Sequence, residues 1–143
     1  MKLIFKSIFI SFLFNFIISF SHEIEFVSAN PFSMKDIITN IDNLEEQSVV
    51  GILTLPKGES NQKFPLIIAA AGSKDWSSHH FEYLEMYRNL GIATFELNSF
   101  KSRGVKSTVG SQTEVTTAMI ILDLYNAFEL LSNHENIDKD NVD

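Results

Sequence analysis

The sequence contains no cysteine. This absence excludes disulfides, thiolate metal sites, a thiol nucleophile and a lipid-modified N-terminal cysteine. Basic residues are also scarce, because 11 Lys and Arg stand against 18 Asp and Glu, which gives a net charge of −7 and a pI near 5.0. This balance leaves no basic surface of the kind that binds nucleic acid, so no nucleic-acid partner is predicted.

Several motifs of catalysis and cofactor binding are missing as well. The six glycines form no G-x-G-x-x-G, no phosphate-binding P-loop and no G-x-S-x-G elbow. His79 and His80 are adjacent, so on a helix they point about 100° apart and do not share a metal; they are interpreted as a helix-start pair, one solvated and one packed. Three aspartates near residue 140 lack the glycine and glutamate of a calcium loop. The sequence therefore indicates no cofactor and no metal ion.

The N-terminus has the layout of a secretory signal peptide. Two lysines lie among the first six residues, Ile8 to Phe20 is almost wholly apolar, and Ser19 and Ser21 are small residues at the positions that a signal peptidase reads. An uncleaved anchor is disfavoured because the apolar run is shorter than the roughly 20 residues of a spanning helix. We predict a signal peptide over residues 1–21, export to the periplasm or the medium, a domain over 22–143, and no stable membrane span after cleavage.

The central feature of the remaining chain is an apolar strand that ends in a glycine turn. Leu66 to Ala71 are six apolar residues in a row, and Gly72-Ser73 and a polar helix entry follow. A run this apolar predicts a strand covered on both faces, as in a parallel sheet flanked by helices. Ligand sites of such sheets lie at the carboxyl ends of the strands. Ser73 is interpreted as a helix-entry serine rather than a nucleophile, because no base or elbow motif accompanies it.

The order of the other elements predicts an α/β domain. Candidate edge-strand residues are Ile24, Phe26 and Ile37-Ile38. A strand over 48–55 leads through a polar, hairpin-type loop to the central strand. A helix begins at Ser77 or Ser78, ends at Gly91 and is followed by a strand over 92–97, which completes a βαβ unit. Its predicted apolar stripe comprises His80, Tyr83, Leu84, Tyr87 and Leu90.

The last third of the chain predicts one long helix and the approach to another strand. Ser111 and Glu114 have the spacing of a capping box, and a broad apolar face continues from there to about Leu131. Residues 137–143 are typical of the loop that feeds a further strand. By alternation of elements that strand lies beyond Asp143, so we expect the front part of a larger α/β domain that ends before its nucleophile strand.

Two stretches carry a family resemblance. In the first, Asn98-Ser99-Phe100 follows an apolar strand and precedes Arg103-Gly104-Val105. In the second, Asp123-Leu124-Tyr125-Asn126-Ala127-Phe128 is followed by Ile137-Asp138. With the apolar strand before them they resemble the dienelactone hydrolase family of α/β-hydrolases, in which the corresponding pieces are Asp-Ser-Phe, Arg-Gly-Val and Asp-Ala-Tyr. The resemblance covers Pro65 to Asp143, more than half of the chain.

The resemblance implies the N-terminal half of an α/β-hydrolase fold, with a mostly parallel sheet and flanking helices. It implies hydrolysis of a small-molecule ester or lactone by a nucleophile–histidine–acid triad. The backbone N–H groups of Gly72, Ser73 and Lys74 would belong to the oxyanion hole. All three triad residues would lie beyond Asp143, so the resemblance assigns no catalytic side chain within this sequence.

Two positions depart from the family pattern. Ala71 stands where the family has a histidine, and Asn98 stands where it has an aspartate. The change at Ala71 keeps open two alternatives to an enzyme. One is an exported, non-catalytic binding or interaction module, and the other is a fragment of a longer gene product.

Overall fold

A computed structural model describes residues 21–58 and 61–143; the predicted signal peptide lies outside these ranges except for Ser21. Within these ranges, five strands form one open sheet in the order β1-β2-β4-β3-β5: β1 (Ser21–Ala29), β2 (Glu46–Thr54), β3 (Phe64–Ala70), β4 (Ala93–Leu97) and β5 (Ile137–Val142). The helices are α1 (Met34–Asn40), α2 (Ser78–Asn89), α3 (Ser99–Ser102) and α4 (Thr117–Leu131). Among the helices in these ranges, none has the length and apolar character that crossing a membrane requires.

The sheet is mixed rather than mostly parallel. β1 pairs with β2, and β2 with β4, in antiparallel orientation, whereas β3 pairs with β4 and β5 in parallel orientation. β4, not β3, is therefore the middle strand. Because β2 neighbours β1 and β4, the chain that leaves β2 passes β4 before it enters β3, and the predicted hairpin between β2 and β3 is wrong. The chain has a mixed α/β architecture, as predicted at the coarse level.

α2 and α4 pack on opposite faces of the sheet. Ala127 and Leu131 of α4 belong to the main core, together with Phe95 of β4. On α2, Arg88 Nη1 donates to Oγ1 of the buried Thr94, at 2.9 Å. Successive strand residues point to opposite faces, so Thr94 and Phe95 assign the two helices to different sides. The β3–α2–β4 crossover confirms the predicted βαβ unit.

The face that α2 covers is less buried than the face beneath α4. Of the predicted α2 stripe only Leu84 is buried, and Tyr83 and Leu90 are 59% and 69% exposed. In β3, Phe64 and Leu66 are buried but Ala70 is exposed. The prediction that β3 is covered along its whole length on both faces is therefore wrong, because α2 contacts the sheet chiefly at β4.

The approach of β2 to β4 explains the glycine within β2. A Cβ atom built on Gly51 would lie 2.1 Å from the ring of Phe95. Phe95 is fully buried, so its ring has no free volume into which it can move. The ring thus occupies the space of a side chain at position 51, and glycine is the residue that fits.

Two local predictions of secondary structure are wrong. Ile37 and Ile38 lie in α1, not in an edge strand, because the Ser33 backbone N–H donates to Oδ2 of Asp36 at 2.8 Å and closes a helix N-terminus. Ile24 and Phe26 do lie in β1, at one edge of the described sheet. The strand prediction was thus correct for Ile24 and Phe26 and wrong for Ile37 and Ile38, which follow the Ser33 helix cap.

The long helix starts later than the Ser111–Glu114 capping box predicts. Its cap is Thr116, whose Oγ1 accepts from the Met119 backbone N–H at 3.2 Å and donates to the carbonyl of Pro31 at 2.9 Å. This second hydrogen bond is tertiary, so the local sequence does not reveal it. The end of α4 at Leu131 is as predicted.

A fifth strand is present within the sequence, contrary to the prediction that the next strand lies beyond Asp143. β5 runs parallel to β3, but the register shifts, because Ile137 pairs with Phe64 and Val142 pairs with Leu66. Asp143 continues the pairing, since its N–H donates to the Leu66 carbonyl at 2.9 Å. The strand is therefore formed, with a bulge in its middle.

The bulge in β5 is a polar turn organised by one carboxylate. Asp138 Oδ1 accepts from the Asp140 backbone N–H at 3.3 Å, and Asp138 Oδ2 accepts from Asn141 Nδ2 at 2.9 Å. Both partners are exposed. This geometry agrees with the interpretation of these aspartates as a solvated turn rather than a calcium loop.

Two histidines join the start of β1 to the segment after α4, and they predict a pH dependence of stability. The rings of His22 and His134 stack with their centroids 5.8 Å apart. Burial, and to a smaller extent the charge of His22, lowers the pKa of His134 below 6.5, and the weaker effect of Glu135 opposes this shift. At pH values just below 6.5, His134 binds a proton in the unfolded chain but not in the folded chain, so the stability of the fold falls as the pH falls.

The expected result is a melting temperature that is lower at about pH 5.5 than at about pH 7.5, with a smaller difference in His134→Gln. In the unmodified protein the Asn136 backbone N–H donates to His134 Nδ1 at 3.2 Å. The side-chain oxygen of glutamine keeps an acceptor for this N–H. Equal pH sensitivity of the two proteins would contradict the role assigned to His134.

Candidate functional site

The turn after β3 presents unused backbone donors. The Gly72 carbonyl accepts from the Asp75 N–H at 2.8 Å, which closes a four-residue turn, and Asp75 has a left-handed φ of 58°. Across the described ranges, no hydrogen bond is formed by the N–H groups of Ser73 and Lys74. Unused donors at the carboxyl end of a strand can stabilise an oxyanion.

A second loop fixes the orientation of this turn. The Ser73 carbonyl accepts from the Thr108 N–H at 2.9 Å and from Ser107 Oγ at 3.0 Å. In a trans peptide the C=O and the following N–H point in opposite directions, so the Lys74 N–H points away from the 107–108 loop. The loop thus holds one donor in a fixed direction without any contribution from the side chain at position 71, which is a buried alanine.

The helix that follows is capped by Ser77, so the interpretation of Ser73 as a helix-entry serine is wrong. The Ser77 backbone N–H donates to Nδ1 of His80 at 3.1 Å. His80 is half-buried and packs edge-on to Trp76, whereas His79 is exposed, which confirms the prediction of one packed and one solvated histidine. The prediction that the two side chains point apart is wrong, because their ring centroids lie 4.0 Å apart. Trp76 Nε1 donates to the Leu97 carbonyl at 3.1 Å and ties the turn to β4.

A cavity of about 210 Å³ opens beside the turn. Four exposed residues line its mouth: Gly72, Ser73, Gln112 and Thr117. Its base consists of the buried Phe100, Thr108 and Val115, and Ile120 completes the wall. From β3 the chain passes through α2 to β4 on one side of β3, and it then passes through α4 to β5 on the other side of β3. Open α/β sheets bind ligands where the strand order reverses in this way.

Gly72 is not required by the backbone. A Cβ atom added there meets nothing within 4 Å, and its φ is outside the left-handed region. The absence of a side chain therefore leaves the turn uncovered at the mouth of the cavity.

A buried ion pair joins α4 to the end of α3. Asp123 of α4 is fully buried, and its carboxylate accepts two hydrogen bonds from Arg103, from Nη1 at 2.7 Å and from Nη2 at 3.0 Å. Ser28 Oγ and Ser99 Oγ donate to the same carboxylate at 2.5 and 2.7 Å. The acidic charge is thus paired with a cation and has four donors.

The remaining donors of Arg103 connect two further parts of the chain, the end of β1 and the start of α3. Nε donates to Asn30 Oδ1 at 2.8 Å, Nη2 to the Ala29 carbonyl at 3.0 Å, and Nη1 to the Ser99 carbonyl at 3.1 Å. The Arg103–Asp123 network, which we define as these two residues with Ser28 and Ser99, therefore joins β1, α3 and α4. Because Phe100 follows Ser99 in α3, the network also positions the base of the cavity.

Arg103 and Asp123 lie in the two stretches of family resemblance, but the sequence alone assigns them no role. A signal was present, because Asp123 is the only charged residue between Glu114 and Glu129 in an otherwise apolar helix. A carboxylate on such a face needs a buried partner. That partner, Arg103, lies 20 positions earlier and outside the helix, and Ser28 lies 95 positions earlier, so the local sequence of α4 identifies neither.

Asn98 and Glu96 lie at the end of β4. Asn98 is buried, its N–H donates to the Val50 carbonyl at 3.0 Å, and its own carbonyl accepts from Ser102 Oγ at 2.7 Å. Burial raises the pKa of the half-buried Glu96, and Asn98, Lys101 and Arg88 partly oppose this effect. Asn98 thus connects β4 to β2 and α3 and does not line the cavity.

Comparison with known proteins assigns no family. A scan against protein-family models finds no match for the chain, and a search of curated proteins finds none with significant similarity. The functional proposal therefore rests on the turn, the cavity and the Arg103–Asp123 network.

Proposed function

We propose that this chain forms the oxyanion side of an exported α/β-hydrolase of the dienelactone hydrolase type, which hydrolyses small esters or lactones. The observation that carries the proposal is the pair of unused N–H groups at Ser73 and Lys74, in a turn whose Ser73 lines the cavity. Such donors stabilise the charge that develops on a carbonyl oxygen during acyl transfer.

The position of the turn supports this proposal. In α/β-hydrolases one oxyanion donor comes from the loop between the third strand and the helix after it. Here that loop joins β3 to α2 and contains Gly72, Ser73 and Lys74. The parallel β3–β4 pair and the helices on both faces of the sheet are compatible with the same fold.

The Arg103–Asp123 network gives independent support. Arg103 belongs to the first stretch that resembles the family, and Asp123 belongs to the second. Their two hydrogen bonds, at 2.7 and 3.0 Å, join the two stretches in space. The two similar segments therefore form one structural unit that supports the cavity.

The direction of β5 indicates where a nucleophile would arrive. The Asp143 carbonyl accepts from the Ile68 N–H at 2.7 Å, so the chain runs parallel to β3 at this point. A strand that continued in this direction would reach the level of Gly72. We propose that the nucleophile elbow of the complete domain lies at that level, because in α/β-hydrolases the elbow follows a strand at the top of the sheet.

The proposed reaction follows acyl-transfer chemistry. The nucleophile attacks the ester carbonyl, and the Ser73 and Lys74 N–H groups donate to the resulting oxyanion. Collapse of the tetrahedral intermediate expels the alcohol, and water then releases the acid from the acyl-enzyme. The chain described here contributes the oxyanion donors and the cavity wall, and the signal peptide directs export.

Expression of the coding sequence read past Asp143 tests this proposal. We expect an in-frame G-x-S-x-G or G-x-C-x-G and hydrolysis of phenyl butyrate by the longer product. The 143-residue chain serves as the control and should release no phenol above the buffer rate. A stop codon directly after Asp143, or rapid hydrolysis by the 143-residue chain, would contradict the proposal.

A further inference from the structure

We infer that the cavity beside Gly72 receives a short, uncharged acyl chain, an inference that rests on the proposed acyl-transfer function. The cavity lies directly against the turn that carries the Ser73 N–H. A substrate whose carbonyl oxygen accepts from this turn therefore has its acyl chain within reach of the cavity base.

The chemistry of the lining excludes a charged acyl chain. Among the residues that the structure describes, none that lines the cavity has an ionisable side chain, and the cavity base is formed by Phe100, Thr108 and Val115. Each of these three residues is almost fully buried. A carboxylate at the base would lose its water without gaining a cation, which is strongly unfavourable.

The N-terminus of α4 also favours negative charge near the cavity. Thr117, the first residue of α4, is exposed at the cavity mouth, and Thr116 already caps the Met119 N–H. The partial positive charge at a helix N-terminus contributes much less than burial of an unpaired carboxylate costs. Its position suits the polar ester group at the mouth rather than a charge at the base.

The size of the cavity limits the length of the chain. A volume of about 210 Å³ is below the range of about 300–1,000 Å³ that is usual for drug-sized ligands. It equals the volume of about seven water molecules in the liquid. A short acyl chain such as butyryl fits this space, and a long fatty acyl chain does not.

Two small amides test the inference on the full 143-residue chain without any requirement for hydrolysis. Butyramide carries the carbonyl and the neutral chain, and succinamate is its counterpart with a carboxylate at the far end. Amide chemical shifts of Gly72, Ser73 and Val115, followed by NMR titration, should show binding of butyramide and at least about tenfold weaker binding of succinamate. Equal or tighter binding of succinamate, or binding of neither amide, would overturn the inference.

A matched pair of variants distinguishes this cavity from adventitious binding. Val115→Ala deepens the base and should raise the affinity for hexanamide relative to butyramide by at least about threefold. Val109→Ala alters an exposed valine of the same loop that does not line the cavity, and it should leave the ratio unchanged. An unchanged ratio in Val115→Ala would overturn the placement of the acyl chain. These binding measurements involve no turnover. A negative binding result therefore does not contradict the hydrolase proposal, and a negative hydrolysis result does not change the binding data.

Discussion

Replacement of Asp123 by asparagine should lower the free energy of unfolding by about 3–5 kcal/mol, because it leaves the Arg103 charge buried without its partner. The side chain of Arg103 is only 5% exposed, and that of Asp123 is fully buried. Asparagine has nearly the same shape as aspartate, so the loss measures charge and hydrogen bonding rather than a cavity. Urea unfolding followed by circular dichroism gives the free-energy difference.

Two further variants make this result specific. In the Arg103→Met, Asp123→Asn double variant no unpaired charge remains, so the combined loss should be clearly smaller than the sum of the single losses. Lys101→Met removes the exposed pair between Lys101 and Glu23, at 3.9 Å, and should change stability by less than about 1 kcal/mol. A change in Asp123→Asn as small as that in Lys101→Met would show that the network does not stabilise the fold.

Replacement of Ser73 by proline should lower kcat for ester hydrolysis by about 10²- to 10³-fold in the longer product that carries the nucleophile, because it removes one oxyanion donor. Ser73 is the second residue of the turn that the Asp75 N–H to Gly72 carbonyl hydrogen bond closes, at 2.8 Å. Proline is favoured at this position of common turns, so it removes the N–H with little effect on the backbone.

Ser73→Ala is the matched control for this substitution. Alanine keeps the N–H and removes only the hydroxyl, so its kcat should stay within about threefold of the unmodified protein. The melting temperatures of both variants verify that the turn is intact. Equal kcat values for the proline and alanine variants would exclude the Ser73 N–H from the oxyanion hole.

The parts of the fold that the sequence predicted well are those with strong local signals. The strand before Gly72, the helix capped at Ser77, the left-handed Gly91 and the end of α4 all follow from apolar runs and capping residues. In these segments local propensity and the final fold agree. The βαβ unit followed directly from them.

The errors arose where tertiary contacts override local signals. Thr116 rather than Ser111 caps α4, because its hydroxyl reaches Pro31, 85 positions away. The register shift in β5 likewise depends on pairing with β3. For the candidate site, the family resemblance pointed to Gly72, Ser73 and Lys74 but not to the 107–108 loop that orients this turn, because polar loop residues carry no periodic pattern.

The Arg103–Asp123 network has a consequence for the order of folding. Ser28 and Asp123 are 95 positions apart, whereas β1 and β2 pair over adjacent stretches of the chain. During synthesis the β1–β2 ribbon is complete long before Asp123 is added, and contacts between distant residues form late. Until α4 docks, the ribbon has little buried surface on its α4 side. We therefore expect the amides of β1 to become protected from hydrogen exchange only in the final folding step, together with those of α4.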